Sequence, residues 1–162
     1  SVPGVMNELG ILSLEIQRMP KDPEKDFGHP SDYPYRSVAS PSTHDMSTIR
    51  GWWEEDRAKT QRFFNTILGN YGAAPYFCEP WVAREIIIQH LYAPSLLAIF
   101  PMQDILALNG NIRWDKTQEE RINVPSNPTH LWRYRMRQSI GELIDANEFN
   151  EELKEMLQSA GR

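Results

Sequence analysis

Pro41-Ser42-Thr43-His44-Asp45 lies between a short extended segment, Ser37–Ser40, and a helical pattern that begins near Ser47. An extended segment that leads directly into a helix is typical of a parallel α/β protein. In such folds the loops at the carboxyl ends of the strands carry most catalytic and binding groups. His44 and Asp45 put an imidazole beside a carboxylate at this junction and are the first candidates for a site. Asp45 and Ser47 are also common helix-capping residues, so a purely structural role stays open.

Two further stretches have the pattern of strands. In residues 12–17, apolar and polar residues alternate, which predicts a strand with one apolar and one polar face. The polar face would meet water in an antiparallel sheet or point into the lumen of a barrel. Residues 96–100 form a continuous apolar run bounded by Pro94 and Pro101, which predicts a strand buried on both faces.

The remaining pattern is largely helical. Periodic apolar residues predict a short helix ending at Gly10, a helix over 47–68 and another from Glu79-Pro80 to about Leu91, although Ile86-Ile87-Ile88 also suits a strand. We expect His90 in this helix to pack in the core. Residues 20–36 are rich in proline, glycine and charge and predict a long loop, and two amphipathic helices close the chain before Gly161.

Composition excludes several classes of protein. The chain has 162 residues and a formal net charge of -5, with no basic run of the kind that binds nucleic acid. No apolar stretch reaches the roughly 20 residues of a membrane span, and the start, Ser1-Val2-Pro3-Gly4, does not resemble a signal peptide. We therefore expect no nucleic-acid or membrane partner and a cytoplasmic location.

The sequence also lacks the signatures of several chemistries. The four histidines are widely separated, and none is paired with a second histidine or cysteine at metal-ligand spacing. There is no phosphate-binding loop, dinucleotide fingerprint or nucleophile elbow. The single cysteine, Cys78, has no histidine nearby in sequence and is not expected to act as a nucleophile. We expect neither a metal nor another cofactor.

Four motifs occur in the order found in one family of enzymes. They are Ser42-Thr43-His44-Asp45 followed by Gly51-Trp52-Trp53, Pro101-Met102-Gln103-Asp104-Ile105-Leu106-Ala107-Leu108, Asn123-Val124-Pro125, and Trp132-Arg133-Tyr134-Arg135. In this order they resemble glycoside hydrolase family 77, the 4-α-glucanotransferases or amylomaltases, and most of all the plant cytosolic type and its bacterial counterparts. The resemblance spans nearly the whole chain.

This resemblance implies an α/β fold, the C-terminal fragment of a (β/α)8 barrel with strands 6 to 8 and their helices. Residues 1–46 would hold strand 6, a long loop and strand 7, residues 47–108 helices and strand 8, and residues 109–162 a polar loop and the C-terminal helices. Such a segment would be mostly helical, and its sheet would not close within this chain.

The resemblance also implies a retaining transfer of α-1,4-glucan or glucosyl units from maltose and maltooligosaccharides to glucan acceptors. Asp45 would be the third carboxylate, which stabilises the distorted sugar, and His44 would bind a sugar hydroxyl. Asn123 and Gln103 match positions that contact the glucan. The resemblance implies no cofactor.

In the family, the nucleophile and the acid/base glutamate precede the matched segment, and nothing in this chain matches them. We therefore expect the chain to be inactive alone. Since an unclosed sheet leaves edges and faces exposed, we expect it to associate with itself or with the missing N-terminal part of the same enzyme. A non-catalytic α-glucan-binding or interaction module and a helical scaffold without a site remain alternatives.

Overall fold

Three short parallel strands form an open sheet in the order β1-β2-β3. The computed structural model describes residues 2–162, so Ser1, the first residue of the predicted 1–46 segment, lies outside the described residues. The strands are β1 (Ser13–Ile16), β2 (Ser37–Ser40) and β3 (Leu97–Ala98). The helices are α1 (Val2–Leu9), α2 (Ile49–Glu55), α3 (Arg57–Thr66), α4 (Pro80–Leu91), α5 (Met102–Leu106), α6 (Ile140–Asp145) and α7 (Asn147–Ser159), with 3-10 turns at Pro30–Asp32 and Thr117–Glu120. The predicted combination of helices with a parallel, unclosed sheet is confirmed.

The polar face of β1 has neither of the two expected environments, water or a barrel lumen. Glu15 and Gln17, from its polar face, are buried, and the Gln17 amide donates to Gln89 of α4 at 2.7 Å. Leu14, from its apolar face, is half exposed and pairs in register with Val38, which in turn pairs with Leu97 of β3. The helices therefore cover the polar face, and the apolar face of the sheet is open.

The prediction that residues 96–100 form a strand buried on both faces is wrong for this chain. Regular pairing is limited to two residues of β3, and Leu96, Leu97 and Ile99 are each about half exposed. Backbone bonds from Leu96 to Tyr35 and from Ile99 to Ala39 still extend the pairing at both ends. Leu97 and Ile99 are exposed because they lie on the open face of the sheet, whereas Leu96 precedes the first paired residue of β3.

The helix predicted over 47–68 is divided into α2 and α3. The break occurs at Asp56, whose backbone is extended and whose carboxylate accepts a hydrogen bond from the amide of Lys59 at 3.0 Å. Asp56 therefore ends one helix and caps the next, an arrangement that the continuous apolar periodicity conceals. Trp53 of α2 and Phe63 of α3 remain on the same side, and both are fully buried.

The hydrophobic core lies between α2, α3 and α4 and extends to α5 and α7. It includes Trp53, Phe63, Val82, Ile87, Leu106, Phe149 and Met156. The predicted helix over the Ile86-Ile87-Ile88 run is confirmed, and His90 is fully buried in it. Gly10 and Gly161 follow the first and last helices with positive φ, as expected of helix-ending glycines. Among the described residues, none of the helices is long and apolar enough to cross a membrane.

Candidate functional site

The candidate site lies on the β2–α2 loop, residues 41–48, at the carboxyl end of β2. Helix α2 is capped by Thr48, whose hydroxyl accepts the amide of Gly51 at 3.1 Å. The alternative in which Asp45 or Ser47 caps this helix is therefore wrong. Because Thr48 caps α2, the carboxylate of Asp45 is available for other contacts.

The Asp45 carboxylate is held between two polar side chains. Asn123 Nδ2 donates to Asp45 Oδ1 at 2.7 Å, and His44 Nε2 lies 3.2 Å from Asp45 Oδ2. The backbone N–H of Asn123 also donates to the backbone carbonyl of His44 at 3.1 Å, so the two loops are joined through their backbones as well as their side chains. The side chains of Asp45 and His44 are 54% and 52% exposed. The structure thus brings together three of the predicted site residues, and solvent or a ligand can reach two of them directly.

Trp132 is a further candidate, which the sequence analysis placed in a family motif without giving it a role in the site. Its ring centroid lies 5.1 Å from that of His44, with the planes tilted by 49°, and its side chain is largely exposed. An exposed aromatic ring beside polar groups is a suitable surface for a sugar ring. Its contact with His44 depends on how the segment after Asn123 returns toward the β2–α2 loop, which no local pattern reveals.

Gln103, the fourth predicted residue, has a different environment. It is buried at the start of α5, and its amide donates to the backbone carbonyl of Glu120 at 3.2 Å. Its side chain borders the same cavity as His44, but its amide is engaged with the backbone rather than with Asp45. Gln103 therefore connects α5 to the segment that leads to Asn123.

A cavity of about 400 Å³ extends from His44 along the open face of the sheet. Leu14, Val38 and Ile99 form its apolar wall, and Gln103 lies at its polar end. This size and this mixture of apolar wall and few polar groups are typical of sites for small ligands.

A buried ion pair fixes the segment that carries Asn123 against α2. Arg50 Nη1 donates to Glu120 Oε1 and, at 2.6 Å, to the carbonyl of Trp114. Thr48 donates to the other carboxylate oxygen of Glu120 at 3.3 Å. Burial raises the pKa of Glu120 to about 7, and the Arg50 guanidinium acts in the opposite sense. The two loops that meet at Asp45 therefore share a rigid support.

Other chemistries have little support near the site. Within residues 2–162, no group of three or more histidine, cysteine or acidic side chains could hold a metal ion. Cys78 is buried, and this burial raises the pKa of its thiol, which disfavours the nucleophilic thiolate. The polar groups at Asp45 are instead suited to hydrogen-bonding hydroxyl groups of a neutral ligand.

Comparison with known proteins gives one consistent family. A family model described as 4-alpha-glucanotransferase, glycoside hydrolase family 77, matches residues 1–144. The chain is 46% identical over 158 residues to the 4-alpha-glucanotransferase DPE2 of Oryza sativa subsp. japonica, and the match covers 98% of this chain and 17% of that protein. It is 30% identical over 146 residues to a 4-alpha-glucanotransferase of Chlamydia caviae, covering 88% of this chain and 27% of that protein.

The fold has a counterpart among solved structures. The amylomaltase from Streptococcus agalactiae in complex with acarbose superposes with a TM-score of 0.73 at 21% identity, over 99% of this chain and 29% of that one. The chain thus spans less than a third of each of these three proteins. Because the family model covers most of the chain and the fold agrees with that of an amylomaltase, this chain belongs to glycoside hydrolase family 77, the 4-alpha-glucanotransferases.

Proposed function

We propose that this chain is part of a 4-α-glucanotransferase that acts on maltose, maltooligosaccharides and α-glucans by a retaining double displacement. Asp45 is the third carboxylate, which accepts hydrogen bonds from the sugar as its ring flattens toward an oxocarbenium ion. The observation that carries the proposal is the accessible Asp45 carboxylate, held between Asn123 and His44 at the carboxyl end of a parallel strand. His44 and Asn123 bind sugar hydroxyls beside it, and Gln103 borders the glucan site.

The chain requires two further carboxylates for this chemistry. Retaining enzymes use a nucleophile and an acid/base about 5 to 5.5 Å apart. Of the acids near the strand ends, Asp104 is fully buried, and Glu15 is buried on the helix-covered face, bonded to Ser13 and Lys21. Neither reaches the cavity beside His44, which supports the proposal that the nucleophile and acid/base lie upstream and that the chain alone is inactive.

The open sheet supports a location within a larger barrel. Under this proposal β1, β2 and β3 are strands 6, 7 and 8, and their apolar face with Leu14, Leu97 and Ile99 points into the lumen. These side chains are half exposed in the chain itself. The partner that covers them is the N-terminal part of the same enzyme or, in its absence, a second copy of the chain. A clean monomer of 18.8 kDa by light scattering at micromolar concentration would contradict self-association.

The function can be tested in a hybrid enzyme, the rice protein with its matching segment replaced by this chain. We expect it to release glucose from maltose with glycogen as acceptor, and the 162-residue chain to show no such activity. Asp45→Asn should lower kcat at least on the order of 10²-fold, because transition-state hydrogen bonds of several kcal/mol are lost. Asp32→Asn, at an exposed aspartate of a 3-10 turn, is the matched control.

Two results would refute the proposal. One is a hybrid enzyme whose activity survives Asp45→Asn. The other is transfer by the chain alone that Asp45→Asn abolishes, since the missing carboxylates would then be unnecessary.

A non-catalytic α-glucan-binding module is the alternative, and the contact between His44 and exposed Trp132 favours it. In that case the chain alone binds maltooligosaccharides, and His44→Ala or Trp132→Ala weakens this binding, while the hybrid enzyme is inactive. Titration calorimetry with the isolated chain, compared with the hybrid assay, separates the two functions.

A further inference from the structure

A buried arginine is bonded to both ends of the β2–α2 loop. Arg18 follows β1 closely and is 6% exposed. Its guanidinium donates to the carbonyl of Pro41 at 3.1 Å, where the loop begins, and to those of Ser47 at 2.8 Å and Thr48 at 3.4 Å, where it ends. One side chain thus spans the base of the loop that carries His44 and Asp45.

A buried aspartate contacts the same loop from the other side. Asp104 of α5 is fully buried, and its Oδ2 accepts the hydroxyl of Ser42. Its Oδ1 accepts the amide of Ile49, the first residue of α2, at 2.7 Å. Asp104 therefore also joins the beginning of the loop to its end. Burial lowers the pKa of Arg18 to about 10 and raises the pKa of Asp104, and the opposite charge of each group acts against these shifts.

The base and the tip of the loop differ sharply in their surroundings. Pro41, Ser42, Ser47 and Thr48 are buried, whereas His44 and Asp45 at the tip are half exposed. Apart from its hydrogen bond to Asn123, the position of the Asp45 side chain is set by the backbone at the two ends of the loop. Hydrogen bonds to buried charged groups are strong and have no water to replace them, so they hold such a backbone firmly.

We propose that Arg18 and Asp104 are positioning residues for the Asp45 carboxylate: together they fix both ends of loop 41–48 and thereby the orientation of its tip toward the sugar. This inference rests on the proposed function of Asp45. Neither residue touches the substrate. A displacement of about 1 Å at a catalytic group lowers the rate on the order of 10²-fold, so rigid support of this kind has a direct effect on kcat.

The inference can be tested first on the chain itself. Ser42→Ala removes one bond to Asp104 and is the mild variant, and Asp104→Asn weakens both bonds. Ile87→Val, in the core of α4 and away from the loop, is the control for a general loss of stability. Nitrogen-relaxation order parameters of the amides of residues 43–46 should fall from about 0.85 toward 0.6 in the two loop variants and stay unchanged in the control.

The second readout is the hybrid enzyme. Ser42→Ala and Asp104→Asn should lower kcat on the order of 10- to 100-fold with KM changed less than about threefold, because the loop orders a group that acts in the transition state. Ile87→Val should leave both constants unchanged.

The outcomes separate this inference from the proposed function. If Asp45→Asn abolishes activity but both loop variants keep the wild-type kcat, the positioning role is overturned and the function stands. If Asp45→Asn has no effect, the function fails. Unchanged order parameters in both loop variants overturn the positioning role irrespective of activity.

Discussion

His90 gives the chain a pH-dependent stability whose sign and size follow from its environment. The imidazole is fully buried in α4, between the rings of Tyr33 and Phe100, and only its Nδ1 has a partner among the described residues, the carbonyl of Ile86 at 2.8 Å. Burial lowers the pKa of His90 to about 4 from 6.5, the Ile86 bond opposes this, and the charge of Arg18 adds to it.

Because the pKa is lower in the folded state, the unfolded chain binds a proton between pH 6.5 and 4 that the folded chain does not. The contribution of His90 to the free energy of unfolding is therefore complete above pH 6.5. It decreases as the pH is lowered, by about 2 kcal/mol at pH 5 and about 3 kcal/mol at pH 4. Glu120 acts in the opposite direction: burial raises its pKa to about 7, so the folded chain gains stability as pH falls below 7. The total pH dependence mixes the two residues.

The difference between wild type and His90→Leu isolates the histidine. Both proteins retain Glu120, and any constant cost of the substitution cancels when the two pH curves are compared. The free energy of unfolding, from urea denaturation followed by tryptophan fluorescence, should decrease from pH 7 to pH 5 by about 2 kcal/mol more in wild type than in the variant. Parallel curves for the two proteins would refute the reasoning, since they would mean that His90 titrates normally in the folded state.

Three further perturbations test the packing around the site. Arg50→Met should cost about 3 to 5 kcal/mol of unfolding free energy because Glu120 stays buried without its cation. Adding Glu120→Leu should restore a large part of this loss, and additive losses in the double variant would contradict a coupled pair. Asp56→Ala should cost about 1 kcal/mol through the lost cap of α3, and Asp56→Asn should be nearly neutral in the same urea titration. Leu97→Asp on the open sheet face should change the stability by less than about 0.5 kcal/mol but abolish self-association in light scattering, and persistent association would show that another surface is used.

The location of His44 and Asp45 in the fold was predictable from the sequence because its signal is local. A short extended segment followed by a helix places His44 and Asp45 at the carboxyl end of a strand, and that is where the structure has them. The approach of Asn123 was different. It lies 78 positions away, beyond α5 and a polar segment, and the family resemblance indicated only that it contacts the glucan, not that it bonds to Asp45.

The division of the 47–68 helix shows a second limit of periodicity. Apolar spacing reports which side of a segment is buried, and it stays regular across a break when both parts bury the same side. Trp53 and Phe63 are both in the core although α2 and α3 are separate helices. Asp56 itself was the available signal, since an aspartate side chain can bond to the backbone N–H three residues later and so favours the start of a new helix over continuation of the first.

The faces of β1 show why alternation alone does not determine the environment. The pattern in residues 12–17 reveals that the two faces differ, but the covered face is decided by segments that arrive from elsewhere. Here Gln89 of α4 bonds to Gln17, so the polar face is satisfied inside the chain, while Leu14 on the apolar face remains half exposed.

This arrangement separates two tasks of the sheet. The polar face is tied to the helices and keeps β1, β2 and the site loop together through contacts within the chain. The apolar face contributes about 25 cal/mol for each Å² that becomes covered, and little of that energy is available until another surface closes over it. In the proposed barrel, the surface that covers Leu14 and Leu97 also brings the missing carboxylates toward Asp45, so closing the sheet and completing the active site are one event.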